Sequence, residues 1–231
     1  MDQQISYPHS FPKLEPVHNP EPRCACVLVL DVSGSMSGDP IGELNQGVQT
    51  LLQELQRDSL ANRRVELAVV TFGEKVELAA DFSSPEHLCL PPLKAGGATP
   101  MGEAVVKAAS LLEHRKQEYQ QQGLQYFRPW MFLITDGEPT DEESPLWNNA
   151  IQLVREGEQT GKMLFFGVAV NEADQSKLNA LCPPNRPSLK LRGLKFRDLF
   201  LWLTRSLKAV SGSHVGAKIS LPAPGWNEIS A

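Results

Sequence analysis

Leu28-Val-Leu-Asp-Val-Ser-Gly-Ser-Met36 is the stretch whose reading decides the fold. Its apolar half extends back to Cys24, and so continuous an apolar run reads as a central parallel strand, buried on both faces. Its polar half, Asp31 to Ser35, ends the strand with residue types that favour turns. Next comes Asp39-Pro40, an N-cap followed by a proline at the first helical position. Ile41, Leu44, Val48, Leu51, Leu52 and Leu55 then recur on one helical stripe. Strand, polar turn and helix together form the opening unit of an α/β fold.

The same alternation continues along the chain. Val65 to Phe72 reads as a second strand, turned by Gly73-Glu74 into a third, Val76 to Phe82, whose polar alternation marks an antiparallel edge. Gly96-Gly97-Ala98-Thr99-Pro100 opens a helix with Val105, Ala108, Leu111 and Leu112 facing inward. Trp130 to Thr135 is a fourth strand, stopped by Asp136-Gly137, and Ser144-Pro145 starts a helix running through Leu153 and Val154. Met163 to Val170 gives a fifth strand, Ala173 to Leu181 a short helix, and Ser188 to Leu191 a last short strand. Lys195 to Val210 closes the domain as a helix with Phe196, Leu199, Leu203 and Leu207 on one side. Such alternation predicts one doubly wound domain over residues 23–210, with a mostly parallel central sheet, one antiparallel edge strand and helices on both faces. Residues 1–22, broken by five prolines from Pro8 to Pro22, read as an extended arm. Residues 211–231 read as a peripheral tail, with Trp226 placed to pin it to the domain.

Composition narrows the function. With 231 residues, 41% hydrophobic, the chain is long enough for one ordinary core. Its net charge of -5 gives no support to a nucleic-acid or anionic-membrane surface. Met1 to Pro8 lacks the basic-then-apolar pattern of a leader, and the apolar runs are too short to span a bilayer, so a cytoplasmic protein is expected. Cys24, Cys26, Cys89 and Cys182 fit neither a zinc spacing nor a dense disulfide scaffold. They are expected as reduced thiols, with Cys24 and Cys26 on the same side of their strand. The five histidines form no pair at ligand spacing.

Asp31, Ser33, Ser35, Thr99 and Asp136 each lie where a strand pattern stops or a helix pattern starts. In doubly wound sheets ligands bind at the carboxyl ends of the strands, at a switch point in strand order. Taken singly, each has a plain reading: a hydrogen-bonded turn, an N-cap before its proline, a turn at Asp136-Gly137. Together they supply two carboxylates and three hydroxyls, a hard-oxygen set suited to Mg²⁺ with a few waters and one position left for an outside ligand. Enzymatic rivals fare less well. A Mg²⁺-dependent phosphohydrolase of the haloacid-dehalogenase type needs a second Asp two residues after the first, where Ser33 stands. Gly34 to Pro40 lacks the Gly-Lys-Ser/Thr of a phosphate loop, and no His sits at a comparable strand end for a serine nucleophile. The expected function is metal-dependent protein docking without catalysis, against a phosphohydrolase or a metal-free interaction module.

Asp-x-Ser-x-Ser at Asp31, the distant Thr99 and Thr135-Asp-Gly resemble the von Willebrand factor A domain and its metal-ion-dependent adhesion site, over roughly residues 23–210. The stretches Leu30 to Ile41, Ala95 to Gly102 and Arg128 to Asp141 are similar to the bacterial TerY-like group, named for tellurium-resistance operons, and within it to the stand-alone YegL type. The resemblance implies a cytosolic metal-binding scaffold. Asp31, Ser33 and Ser35 match its first motif, Thr99 its second and Asp136 its third. It implies Mg²⁺, with Mn²⁺ or Ca²⁺ as alternatives, and a protein partner whose Asp or Glu carboxylate completes the metal's coordination. A Ser/Thr protein kinase and a PP2C-type phosphatase accompany that group; neither nucleic acid nor membrane is implied.

Other features stay secondary. Glu138, Asp141, Glu142 and Glu143 follow the third motif, either as a solvated loop and helix start or as an acidic rim selecting a basic partner surface. Lys190, Arg192, Lys195 and Arg197 form a basic stripe to which no role is assigned, and Trp130 and Trp202 read as packing residues.

Overall fold

The first strand, β1 (Cys24–Asp31), is buried along all eight residues, and the sheet is built outward from it. The computed structural model describes residues 19–170, 175–191 and 193–224; the arm up to His18, Arg192 and Trp226 lie outside the described residues. After β1 come a 3₁₀ turn at Gly34–Met36, α1 (Asp39–Gln56), α2 (Ser59–Arg64), β2 (Val65–Phe72) and β3 (Val76–Ser83). There follow α3 (Met101–Gln121), β4 (Trp130–Thr135), α4 (Pro145–Gln159), β5 (Leu164–Val170), α5 (Gln175–Leu181), β6 (Leu189–Leu191) and α6 (Phe196–Ser211).

The strands lie in the order β3-β2-β1-β4-β5-β6. The pairs β1–β2, β1–β4, β4–β5 and β5–β6 are parallel, and β2–β3 is antiparallel. The expected sheet is thus present, half-exposed edge strand included. Sequence order reverses between β1 and β4, so the switch point lies between their carboxyl ends. Register puts Leu30 beside Ile134 and Asp31 beside Phe72, so Asp31 and Asp136 emerge next to one another.

Alternate residues of the strands feed two cores. Leu28, Leu30 and Phe132 pack with Leu44 and Leu51 of α1 and Phe200 and Leu203 of α6. Val27, Val29 and Leu133 pack with Val105 of α3, Ala150 and Val154 of α4 and Leu178 of α5. Each such side chain removed from water contributes roughly 1.5–3 kcal/mol. Cys24 and Cys26 share the first core, as their spacing predicts, and are free thiols, as are buried Cys182 and exposed Cys89. Burial pushes the Cys24 thiol up to about 12, so it stays protonated and inert. Among the described residues no helix is long and apolar enough to cross a membrane.

The structure corrects the sequence reading at several places. Helix α1 starts at Asp39, so Asp39 is its first residue and Gly38 its cap, at φ +84°, a conformation glycine adopts without strain. Helix α2 was not expected: six residues are too few to show a period. It is held by Asp58, whose carboxylate accepts from the Leu60 and Ala61 N–H groups. Of the tail, the described part is held by Trp202, whose Nε1 donates to the Pro222 carbonyl at 2.6 Å, with Leu221 packed on the first core. The reading of Trp226 is neither supported nor overturned by this. Arg64 of α2 ties the two ends of the domain together, donating to the Glu21 carboxylate at 2.8 Å and the Ser211 carbonyl at 2.6 Å.

Candidate functional site

Where β1 runs out, the Asp31 carboxylate is 0% exposed and accepts two hydrogen bonds. One comes from the Ser33 N–H at 2.8 Å and the other from the Thr135 hydroxyl, at the end of β4, at 2.6 Å. Burial pushes the Asp31 carboxyl above the ordinary carboxylate range, the negative Asp136 nearby pushes it further, and the bonds from Ser33 and Thr135 work against both. The Ser35 hydroxyl donates to Asp136 Oδ1 at 2.6 Å and lies 2.9 Å from the Ser33 hydroxyl. Because Ser35 has one proton and gives it to Asp136, Ser33 is the donor to Ser35.

Thr99 reaches the same place from a third segment. A Cβ on Gly137 would sit 3.3 Å from the Thr99 hydroxyl and 3.7 Å from that of Ser35, so both hydroxyls flank Gly137. The Thr99 backbone is fixed by a pair of bonds with Thr140: its N–H donates to the Thr140 hydroxyl at 3.1 Å, and its carbonyl accepts from the Thr140 N–H at 2.9 Å. All five residues singled out in the sequence therefore converge on one patch.

Glycines make that convergence sterically feasible. The Gly34 N–H donates to the Gly97 carbonyl at 3.0 Å and the Gly96 N–H to the Val32 carbonyl at 2.7 Å, binding the loop before α3 to the loop after β1. Gly97 has φ +84°, and a Cβ there would lie 2.2 Å from the Glu74 nitrogen. No side chain fits at Gly97, which is why the loop closes over the strand ends.

Two residues of the acidic segment are engaged internally. Asp141 caps α3, its carboxylate accepting from the Gly102 N–H at 3.1 Å and the Glu103 N–H at 2.9 Å. Glu142 takes the Lys177 ammonium at 2.5 Å, while Glu138 and Glu143 are exposed. Reading the sequence alone did not assign Thr135 a role in the site. The signal was present: a hydroxyl ends an otherwise apolar strand directly before Asp136.

As a donor set, the cluster has two facing carboxylates and three hydroxyls. Among the described residues no group of three or more His, Cys, Asp or Glu side chains is placed to hold a metal. A cation here would therefore meet hard oxygens and keep waters, which suits Mg²⁺ better than Zn²⁺ or a softer ion.

The von Willebrand factor type A domain family matches residues 26–193. The chain belongs to that family. Solved structures agree at the level of the fold. The ArnB paralog VWA2 from Sulfolobus acidocaldarius has a TM-score of 0.55 at 15% identity, covering 80% of this chain and 45% of that one. The pilus adhesin SpaC from Lactobacillus rhamnosus GG has a TM-score of 0.62 at 15% identity, covering 84% and 31%. Proximal thread matrix protein 1 from the mussel byssus has a TM-score of 0.56 at 14% identity, covering 82% and 49%. The chain thus spans less than half the length of these neighbours. No curated protein matches it in sequence. Domains of this family typically serve as protein-interaction modules.

Proposed function

We propose that this von Willebrand factor A domain docks a protein partner through a divalent cation held by Asp31, Ser33, Ser35, Thr99 and Asp136. The observation that carries the reading is the pair of neighbouring carboxylates, one fully buried, joined through a chain of hydroxyls. Two negative charges in one sheltered patch repel, and a cation between them offsets that cost. Mg²⁺ fits best, with Mn²⁺ or Ca²⁺ as substitutes. When bound, the metal supplies an electrophilic position that accepts an Asp or Glu carboxylate from the partner. The chain's own residues orient that position: Thr135 and the Ser33 N–H fix Asp31, Ser35 fixes Asp136, and the glycine-closed loop fixes Thr99. We assign the module no catalysis. The sequence resemblance extends the proposal to a cytoplasmic scaffold of the TerY-like group, YegL type, serving a Ser/Thr kinase and a PP2C-type phosphatase in a stress response related to tellurite resistance.

Thermal melting with Mg²⁺ or EDTA, alongside partner capture under both conditions, tests this. Mg²⁺ at a hundred times its dissociation constant stabilises by about 2.7 kcal/mol. Wild type is expected to show that shift and to capture its partner in Mg²⁺ alone, and Asp31→Ala to show neither. Capture that persists in EDTA identifies a metal-free module instead. Metal-dependent turnover of an aryl phosphate identifies a phosphohydrolase.

A further inference from the structure

At the opposite edge of the sheet, where β4 and β5 begin, a cavity of about 500 Å³ lies beneath the C-terminal segment. Its lining includes Trp130 and Phe166, Arg128 and Arg186, and Ser213 and Leu221 of the segment that covers it. No carboxylate is among the described lining residues. Trp130 is 1% exposed, and its indole N–H has no hydrogen-bond partner. A buried donor without an acceptor is costly and uncommon in a native chain.

The charge balance is also incomplete. Arg128 and Arg186 share a single carboxylate, Glu158, through Arg128 Nη2 at 2.9 Å and a close contact from Arg186 Nη1. Glu158 also accepts from the Phe165 N–H at 2.6 Å, so both of its oxygens are engaged. Two cations therefore share one carboxylate, and Arg128 also donates to the Met163 carbonyl at 2.8 Å and the Glu158 carbonyl at 2.9 Å. The Arg186 guanidinium lies 4.9 Å from the centre of the Phe166 ring, and Trp130 packs on that same ring at 4.8 Å. Arginine and tryptophan side chains donate only. A ligand suited to this lining accepts hydrogen bonds from the arginines, carries negative charge and presents a flat apolar body to the rings.

We propose that this cavity binds a small organic anion, an aryl or similarly flat carboxylate, sulfonate or phosphate ester. The acidic group sits against Arg186 and Arg128, and the apolar body lies among Trp130, Phe166 and Leu221. The volume falls within the range of ordinary ligand pockets, roughly 300–1,000 Å³. The site is separate from the strand-end cluster and does not depend on the metal reading. Trp130 and Asp136 are six residues apart along one extended strand, so the two sites lie about 20 Å apart.

The test uses the full chain and two fluorescent probes of similar shape: anilinonaphthalene sulfonate, which is anionic, and phenylnaphthylamine, which is neutral. The sulfonate is expected to bind saturably, one per folded chain, equally in Mg²⁺ and EDTA, and tenfold or more tighter than the amine. Arg186→Gln is expected to weaken the sulfonate by about tenfold and the amine by less than threefold, as loss of a charge-assisted contact would. Near-ultraviolet circular dichroism confirms the fold of each variant, and Arg186→Met replaces Arg186→Gln if the latter unfolds. Unsaturable binding, equal affinity for both probes, or an unaltered affinity in the arginine variant overturns the proposal. So does a chain that refuses the sulfonate until Trp226→Ala is introduced, because the cavity is then filled by the chain's own tail.

Discussion

The two ends of β4 differ in nearly every chemical respect. Past Thr135 stand oxygen acceptors and two negative charges; at Trp130 stand donor-only groups and two positive charges around one carboxylate. They differ also in how they are held. Backbone packed on backbone at Gly97 and Gly73 fixes the carboxyl end, whereas long side chains and a returning C-terminal segment shape the other. A parallel sheet makes such a division natural, since one edge collects the loops that follow strands and the other those that precede them. The rigid edge suits a metal, which tolerates little displacement of its ligands. The edge made of side chains suits a ligand of less strictly defined shape.

The comparison can be broken from the rigid side first. Gly97→Ala forces a Cβ to within 2.2 Å of the Glu74 backbone and is expected to cost about 3 kcal/mol or more in urea unfolding. If the two ends are independent, the variant that remains folded loses its Mg²⁺ response and keeps its binding of the anionic probe. Next, Ser35→Ala removes the hydroxyl joining Ser33 to Asp136. Titration calorimetry is expected to show Mg²⁺ affinity falling about tenfold or more, with stability in EDTA changed by about 1 kcal/mol or less.

A third test concerns pH. Asp31 in the folded chain holds its proton above the ordinary value of 3.8. At this group the folded state then binds more protons than the unfolded one, so its contribution to stability in EDTA is fully present below 3.8 and is lost as pH rises through the raised value. Asp31→Asn removes that decline. The difference in stability between the two proteins should grow from nothing in acid to a plateau near neutrality, with asparagine favoured, in melts across pH. The opposite sign would mean that the bonds from Ser33 and Thr135 outweigh burial. The smallest expected effect is at the far edge: Trp202→Phe loses the bond to the Pro222 carbonyl and costs about 1 kcal/mol, while the Mg²⁺ shift stays as in wild type.

Much of this was legible in the sequence, for identifiable reasons. Strands β1, β2 and β4 are buried throughout, so their runs are mostly apolar, with Glu66 and Thr71 the polar residues within β2; β3 lies at an edge and alternates. The five site residues stand at breaks in those patterns, which drew attention to them. What stayed hidden depends on pairing across long sequence distances. Asp141 caps a helix that begins some forty residues earlier, so its local setting reads only as an acidic loop. Glu66 is buried by pairing with Arg23 at 3.1 Å, from just before β1, and with Arg115 at 2.7 Å and the Tyr119 hydroxyl, both from α3. Arg128, Glu158 and Arg186 are likewise distant in the chain, and no local period relates them. Helix propensity and strand alternation are local; compensation of buried charge is not.

Arg64 also has a mechanical consequence. The incoming chain at Glu21 and the outgoing chain at Ser211 are held by the same guanidinium, with Asn19 bonded to the neighbouring Arg63 carbonyl. A tension applied between the two ends therefore loads these few side-chain bonds one after another before it reaches the ladder of β1. Under low force the ends would peel away while the sheet and both of its edges stay in register, so the domain could be tethered at either end without strain reaching Asp31.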